Sequence, residues 1–280
     1  MVAYLFPTIR LVFKNFFEHQ VGKNAAALAY YLLFALFPLM VFISNLLGLL
    51  DLNIIGISHG LQRLFPKDVV GLLETYLEYV SHSSSHILLW FSLVFSIWFP
   101  MRAVKGLMDD VRLAYHLSKP RSTMKYMVRQ LGYTVLLLVV IALTLILSTL
   151  GQHVLGHINT LFSEQALRLP ELFLRIWQYL RFVPVGFLMY AALGTLYAAA
   201  LDEWQTKESL MPGIVVALVL WMVVSVAFSF YVENFANYSV IYGTLGAVIV
   251  LLMWLYMTSV ILILGAEINA TLMIVRSEKK

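Results

Sequence analysis

The chain has 280 residues, of which 61% are hydrophobic and only 12% charged, with a mean hydropathy of +0.85. Soluble domains carry about 25% charged residues, and a globule of this length has too little interior for such an apolar excess, so lipid is the expected solvent for most of the chain. The absence of cysteine excludes disulfides and thiolate metal sites. A net charge of +4 has to be read by where the basic residues fall, because in a membrane protein their position sets topology.

The first predicted element is a surface helix. Ile9, Val12, Phe13, Phe16 and Phe17 form one stripe and Arg10, Lys14 and Glu18 lie opposite. That is the spacing of a helix lying in the membrane interface, so residues 1–24 are expected on the inner surface. A spanning helix needs about 20 mostly apolar residues. The first such run covers about 25–50, is too long for a cleaved signal peptide, and contains Pro38, which should kink it. Its small residues, Ala25 to Ala27, Ala29 and Ala35, mark a surface for close helix approach.

An outer amphipathic segment follows, with Val69, Leu72, Leu73, Tyr76, Leu77 and Val80 on one face. The second span begins at His86 and is expected to pass Pro100 and end near Leu107. Further spans are expected at about 131–150, 182–201, 210–232 and 240–266, with a third, weaker amphipathic segment at 172–180 after Pro170. With the N-terminus inside, the inner segments hold Arg10, Lys14, Lys23, seven basic residues between Arg102 and Arg129, Lys207, Arg276, Lys279 and Lys280. The outer segments hold only Arg63, Lys67, Arg168, Arg175 and Arg181. This bias points to both ends in the cytoplasm. The expected architecture is all-α: one polytopic membrane domain over 1–280, six transmembrane helices with N-in/C-in topology, and amphipathic interfacial helices.

Candidate functional residues are few. His82 and His86 are four apart, as are His153 and His157, so each pair could share a helix face. Two imidazoles underdetermine a tetrahedral metal site, and solvated interfacial histidines are the simpler reading. No nucleophile elbow, phosphate-binding loop or zinc-protease motif is present, and Asp109 and Asp110 are adjacent, so they diverge on a helix. Neither enzyme chemistry nor a cofactor is expected. Glu267 is the main candidate, because carboxylates in membrane helices are costly and usually face a bundle interior or a water-filled path. Counting about 20 residues from Gly246 reaches the interface near Ala266, so the reading leans toward a headgroup-level anchor. The alternative is a buried ion pair with Arg102 or Lys105. Asn269, Tyr30, Tyr31, Pro38, Tyr242, Gly243 and Gly246 complete the set of intramembrane polar and hinge candidates.

The stretches "AAALAYYLLFALFPLMVF" in the first span and "YGTLGAVIVLLMWLYMTSVILILGAEINA" in the last, with "FSFYV" at 228–232, resemble the YihY/BrkB family of bacterial inner-membrane proteins. The resemblance covers most of the chain and implies six helices with both ends inside. One departure is the loop before the fifth span, where the proline comes late, at Pro212. Members are labelled ribonuclease BN, a label taken here as misapplied, or virulence or serum-resistance factors, and no reaction attaches to the family as a whole. Three readings follow: a transporter, exporter or lipid-handling protein of the cell envelope; an envelope scaffold with an interaction surface such as 54–80; and a membrane enzyme, the least supported. Membrane lipids are the expected partners and a lipid-like or amphiphilic molecule the expected substrate. Nucleic acid is not expected, and a homo-oligomer is compatible with the sequence.

Overall fold

The computed structural model describes residues 2–49, 71, 86–118, 122–141, 143, 182–201, 207–235 and 244–277. These residues form seven helices and no strand. In chain order they are α1 (Val2–Glu18), α2 (Val21–Leu49), α3 (His86–Ala114), α4 (Thr123–Ile141), α5 (Phe182–Ala200), α6 (Lys207–Phe235) and α7 (Thr244–Ser277). Five of them, α2, α3, α4, α6 and α7, are long and apolar enough to cross a membrane, and α5 contributes a shorter apolar stretch, Gly186–Ala200. Without water inside a bilayer, helices satisfy the backbone within each segment, which is why the apolar runs among the described residues are helical. Of the amphipathic segments expected at 69–80 and 172–180, only residue 71 is among the described residues.

Several helices outrun the apolar runs that announced them. α3 continues seven residues past Leu107, through Asp109, Asp110 and Arg112. α4 begins at Thr123, inside the basic inner segment and ahead of the span expected from about 131. α7 continues past Ala266 to Ser277. In each case the polar continuation packs against other helices, and that contact, rather than lipid, supports it. Prolines 38, 100 and 212 all lie within helices. Each removes one N–H from the helical ladder and crowds the carbonyl four residues back.

α7 is the central element. It packs against α6, α2, α1 and α3, while α2 lies along α3, and α5 joins α3 and α6. The core is built from Leu28, Val104, Met108, Tyr197, Ile214, Ile263 and Ala266. Valines and methionines of α6, including Val219, Met222, Val223 and Val226, point outward, as expected of a helix face turned to lipid.

The first helix reverses the usual inside and outside. Three residues of its apolar stripe are exposed, Phe13 at 67% with Ile9 and Phe17 similarly open, while Phe16 packs partly against the core and Thr8 and Asn15 are buried. Thr8, Asn15 and His19 are spaced by seven and four residues, so they share one face, and that polar face meets the bundle. The stripe is therefore free to enter lipid, as an interfacial helix requires.

Candidate functional site

α7 carries two different chemistries on opposite faces. Gly265 and Asn269 are four apart and face α6, while Glu267, two residues from each, points about 200° away. Glu267 has no exposed surface. Its Oε2 accepts from Asn15 Nδ2 at 3.3 Å, and its Oε1 lies 2.6 Å from His19 Nδ1. At that separation a proton must lie between the imidazole nitrogen and the carboxylate oxygen, since two lone pairs would repel. The His19 side chain is itself only 10% exposed. One turn further along the same face, the buried Thr271 hydroxyl has no hydrogen-bond partner among the described residues.

The chain turn that delivers His19 is sharply set. α1 ends with the His19 N–H donated to the Asn15 carbonyl, Gln20 takes a left-handed backbone (φ 53°), and α2 restarts with Lys23 and Asn24 bonded to the Gln20 carbonyl. A non-glycine residue in that region costs about 1 kcal/mol or more, so the turn persists because its surroundings hold it. Asn24 helps to do so. Its amide donates to the His19 carbonyl at 3.2 Å and to Asp110 Oδ1 of α3 at 2.7 Å. A hydrogen-bonded chain thus runs from α7 through α1 and α2 to α3.

The end of α3 completes the cluster. His116 (φ 54°) is the other left-handed non-glycine residue among those described, and it closes the helix with the Leu117 N–H bonded to the Arg112 carbonyl. This is the usual left-handed helix ending, made here by a histidine. The His116 ring is exposed and stands edge-on to His19, with centroids 5.4 Å apart. Around this end, Arg112 is buried and donates to the carbonyls of Ala200 (2.9 Å) and Ser118, and Arg129 donates to Ala199 at 3.0 Å. Two guanidinium groups therefore satisfy the orphan carbonyls at the end of α5.

On the other face of α7, a Cβ on Gly213 of α6 would overlap the Gly265 carbonyl oxygen and come within 2.6 Å of Asn269. The glycines allow the two backbones to touch. Asn269 then bridges the seam: its Oδ1 accepts from the Gly213 N–H at 2.6 Å and its Nδ2 donates to the Leu210 carbonyl at 2.7 Å. These partners flank Pro212, where the regular ladder is interrupted.

The candidates from sequence are distributed unevenly over this geometry. Glu267 is enclosed by protein rather than solvated as an anchor, because α1 folds over it laterally, a cover that counting residues along the helix axis does not reveal. Neither expected ion pair forms: Arg102 is exposed and lies 4.9 Å from the Trp98 ring centroid, and Lys105 pairs with Asp109 at 3.1 Å. Both lie on the exposed side of α3. Tyr30 is exposed and stacks near Phe34, Tyr31 is half-buried beside the core, and Pro38 lies within α2. Gly246 is buried in α7. Tyr242, Gly243, His82, His153 and His157 lie outside the described residues, and His86 begins α3. Among the described residues no group of three or more His, Asp or Glu side chains could hold a metal ion. Asn15, His19, Asn24, Asp110 and His116 were not anticipated as one cluster. The available signal was Asn15, a polar residue between the apolar positions of α1 and on the face of Thr8 and His19.

Comparison with known proteins agrees with this membrane architecture. The chain matches the family Virulence factor BrkB over residues 12–280. It is 28% identical over 264 residues to the "Putative ribonuclease-like protein YfkH" of Bacillus subtilis, covering 94% of each chain. It is 26% identical over 268 residues to a "UPF0761 membrane protein" of Pseudomonas aeruginosa and 28% identical over 284 residues to one of Chromohalobacter salexigens. Those alignments take in 94% and 97% of this chain but only 62% and 64% of the two longer relatives. No solved structure matches. Residues 12–280 contain every element of the polar cluster, from Asn15 to Glu267, and the chain is a membrane protein that belongs to the Virulence factor BrkB family.

Proposed function

We propose that the protein moves a substrate across or within the bacterial cytoplasmic membrane, by transport, export or handling of a lipid-like molecule. The observation that carries this reading is the Glu267 carboxylate, buried in a long apolar helix and bonded, among the described side chains, to Asn15 and His19 alone. A group this costly in a membrane helix is retained most often where charge, protons or substrate must pass. The basic bias of the sequence supports a cytoplasmic position for this end of the bundle. Closed as it is, the cluster corresponds to a sealed inner end, in which α1 covers the carboxylate.

The ribonuclease-like name of the Bacillus relative is not part of this reading. Phosphodiester hydrolysis needs metal ligands or an acid–base pair that reaches the substrate, and a carboxylate with no exposed surface cannot. A second reading, an envelope scaffold, is favoured by one observation, the backbone contact between Gly213 and Gly265, which is suited to a fixed seam. Reconstitution into liposomes separates the two, with lipid scrambling and solute efflux measured for the wild type and Glu267→Gln. Movement above background in the wild type, reduced in the variant, is expected. Background rates in both would remove the transport reading and leave the scaffold.

A further inference from the structure

Three neighbouring groups are successively less exposed. The His116 ring is open to solvent, the His19 side chain is 10% exposed, and Glu267 is fully enclosed. The first two rings are in edge-on contact, with centroids 5.4 Å apart, and a water at the solvent-facing rim of the pair can bond to a nitrogen of each. The second step is a direct 2.6 Å contact. We propose that His116, His19 and Glu267 form a proton-access path, which carries a proton from the aqueous surface to a binding site on the buried Glu267 carboxylate.

The step balances with protons alone. A proton from His116 arrives on the free ring nitrogen of His19, and the proton on His19 Nδ1 passes to Glu267 Oε1. His19 ends neutral in its other tautomer, Glu267 ends as a neutral acid that donates to Nδ1, and His116 is reprotonated from water. Only N–H and O–H bonds are made or broken. Imidazole suits the relay because its two nitrogens accept and donate on opposite sides of one ring. Each fixed element has a part in it. The left-handed turn at Gln20 and the Asn24 bond to the His19 carbonyl orient the His19 ring, and Asn15 holds the second carboxylate oxygen.

The charged and titratable groups on the surrounding elements are consistent with this. Asp110 on α3 is held by Asn24 and lies close enough to Glu267 and Asp109 for their charges to interact. Asp109 is bonded to Lys105 and Tyr126, Lys23 donates to Gln20, and Glu18 pairs with Lys14. No lysine or arginine among the described residues forms an ion pair with Glu267, so a proton is the cation at hand to neutralise it. The proposal does not rest on the transport reading, since the path would load Glu267 whether or not a substrate moves.

Its test uses the full chain in neutral-lipid nanodiscs and a rapid drop from about pH 8 to about pH 5, across the range in which imidazoles and carboxylates titrate. The readout is the infrared carbonyl band of a protonated carboxylic acid, followed in time. The wild type should gain a band component that Glu267→Gln lacks and Glu18→Gln, at an exposed carboxylate outside the path, retains. His116→Asn, in which Asn tolerates the left-handed backbone, should reach the full amplitude about tenfold or more slowly, in line with the contribution of a positioned proton carrier. Added free imidazole should restore the rate, which a purely structural role would not allow. An unchanged rate in His116→Asn overturns the path, and an unchanged band in Glu267→Gln overturns the site. Should Glu267→Gln fail to fold, the His116→Asn rate and its imidazole rescue decide the question alone.

Discussion

Along α7, Gly265 meets Gly213 of α6 with no side chain between the backbones, whereas two residues further on, Glu267 reaches out to Asn15 and His19 at the end of α1. The first contact works by removing atoms. In lipid there is no gain from hiding one apolar surface against another, so helices adhere where small residues allow dispersion contacts and backbone polar groups come close. The second works by adding polar atoms that must then be fully satisfied, because a lone carboxylate would be intolerable there. One helix thus joins a tight, inflexible seam to a polar joint whose strength depends on where a proton lies. The seam suits permanence and the joint suits change.

Breaking the seam should have the largest effect. Gly213→Ala inserts a methyl group where the Gly265 carbonyl and Asn269 already sit, so the helices must separate. We expect a loss of about 3 kcal/mol or more, at the upper end of overpacking costs, read as a collapse of monodisperse protein and of the thermal midpoint in detergent. Gly213→Ser should do no better, since the obstacle is the Cβ itself.

Removing the bridge rather than the contact sharpens the comparison. Asn269→Ala leaves the Gly213 N–H and the Leu210 carbonyl without their partner while the glycines still touch. A cost of about 2 kcal/mol is expected for buried groups left unpaired, measured by chemical denaturation in mixed micelles. A smaller change should follow Tyr197→Phe, which deletes the hydroxyl donated from α5 to the Leu262 carbonyl of α7 and leaves the ring in place. About 1 kcal/mol is the expected cost of that single bond. The smallest effect belongs to Lys105→Ala. Its pair with Asp109 is about half exposed at both ends, so a change of about 0.5 kcal/mol or less is expected, and a larger one would mean that this face of α3 is not solvated.

Much of the helical framework was legible in the sequence, because apolar runs of spanning length leave the backbone few alternatives to helix. The ends of those helices were not. α3 and α7 extend through Asp110 and Asn269, residues that read as the edges of spans until their partners on other helices are known. The polar joint was half visible. Glu267 stood out by its cost, but its partners come from α1, more than 240 residues earlier in the chain, and nothing local links them. Arg102 and Lys105 were reasonable partners by depth alone and unreasonable by face, since both project to the outside of α3. Gly213 and Gly265 were hidden for a related reason: a glycine in an apolar helix signals close approach, but which helix approaches is a matter of packing. Of the stripe on α1, Ile9, Phe13 and Phe17 are exposed, and the neighbouring face, with Asn15 and His19, held the information that mattered.

The central claim is that α1 is fastened to α7 through the contact between His19 and Glu267. A double-mutant cycle of His19→Asn and Glu267→Gln, read as thermal or denaturant stability of the full chain, tests it most directly. The account predicts a coupling energy of about 1–3 kcal/mol, the scale of a buried hydrogen bond with a charged partner. Additive single effects, with coupling near zero, would contradict it.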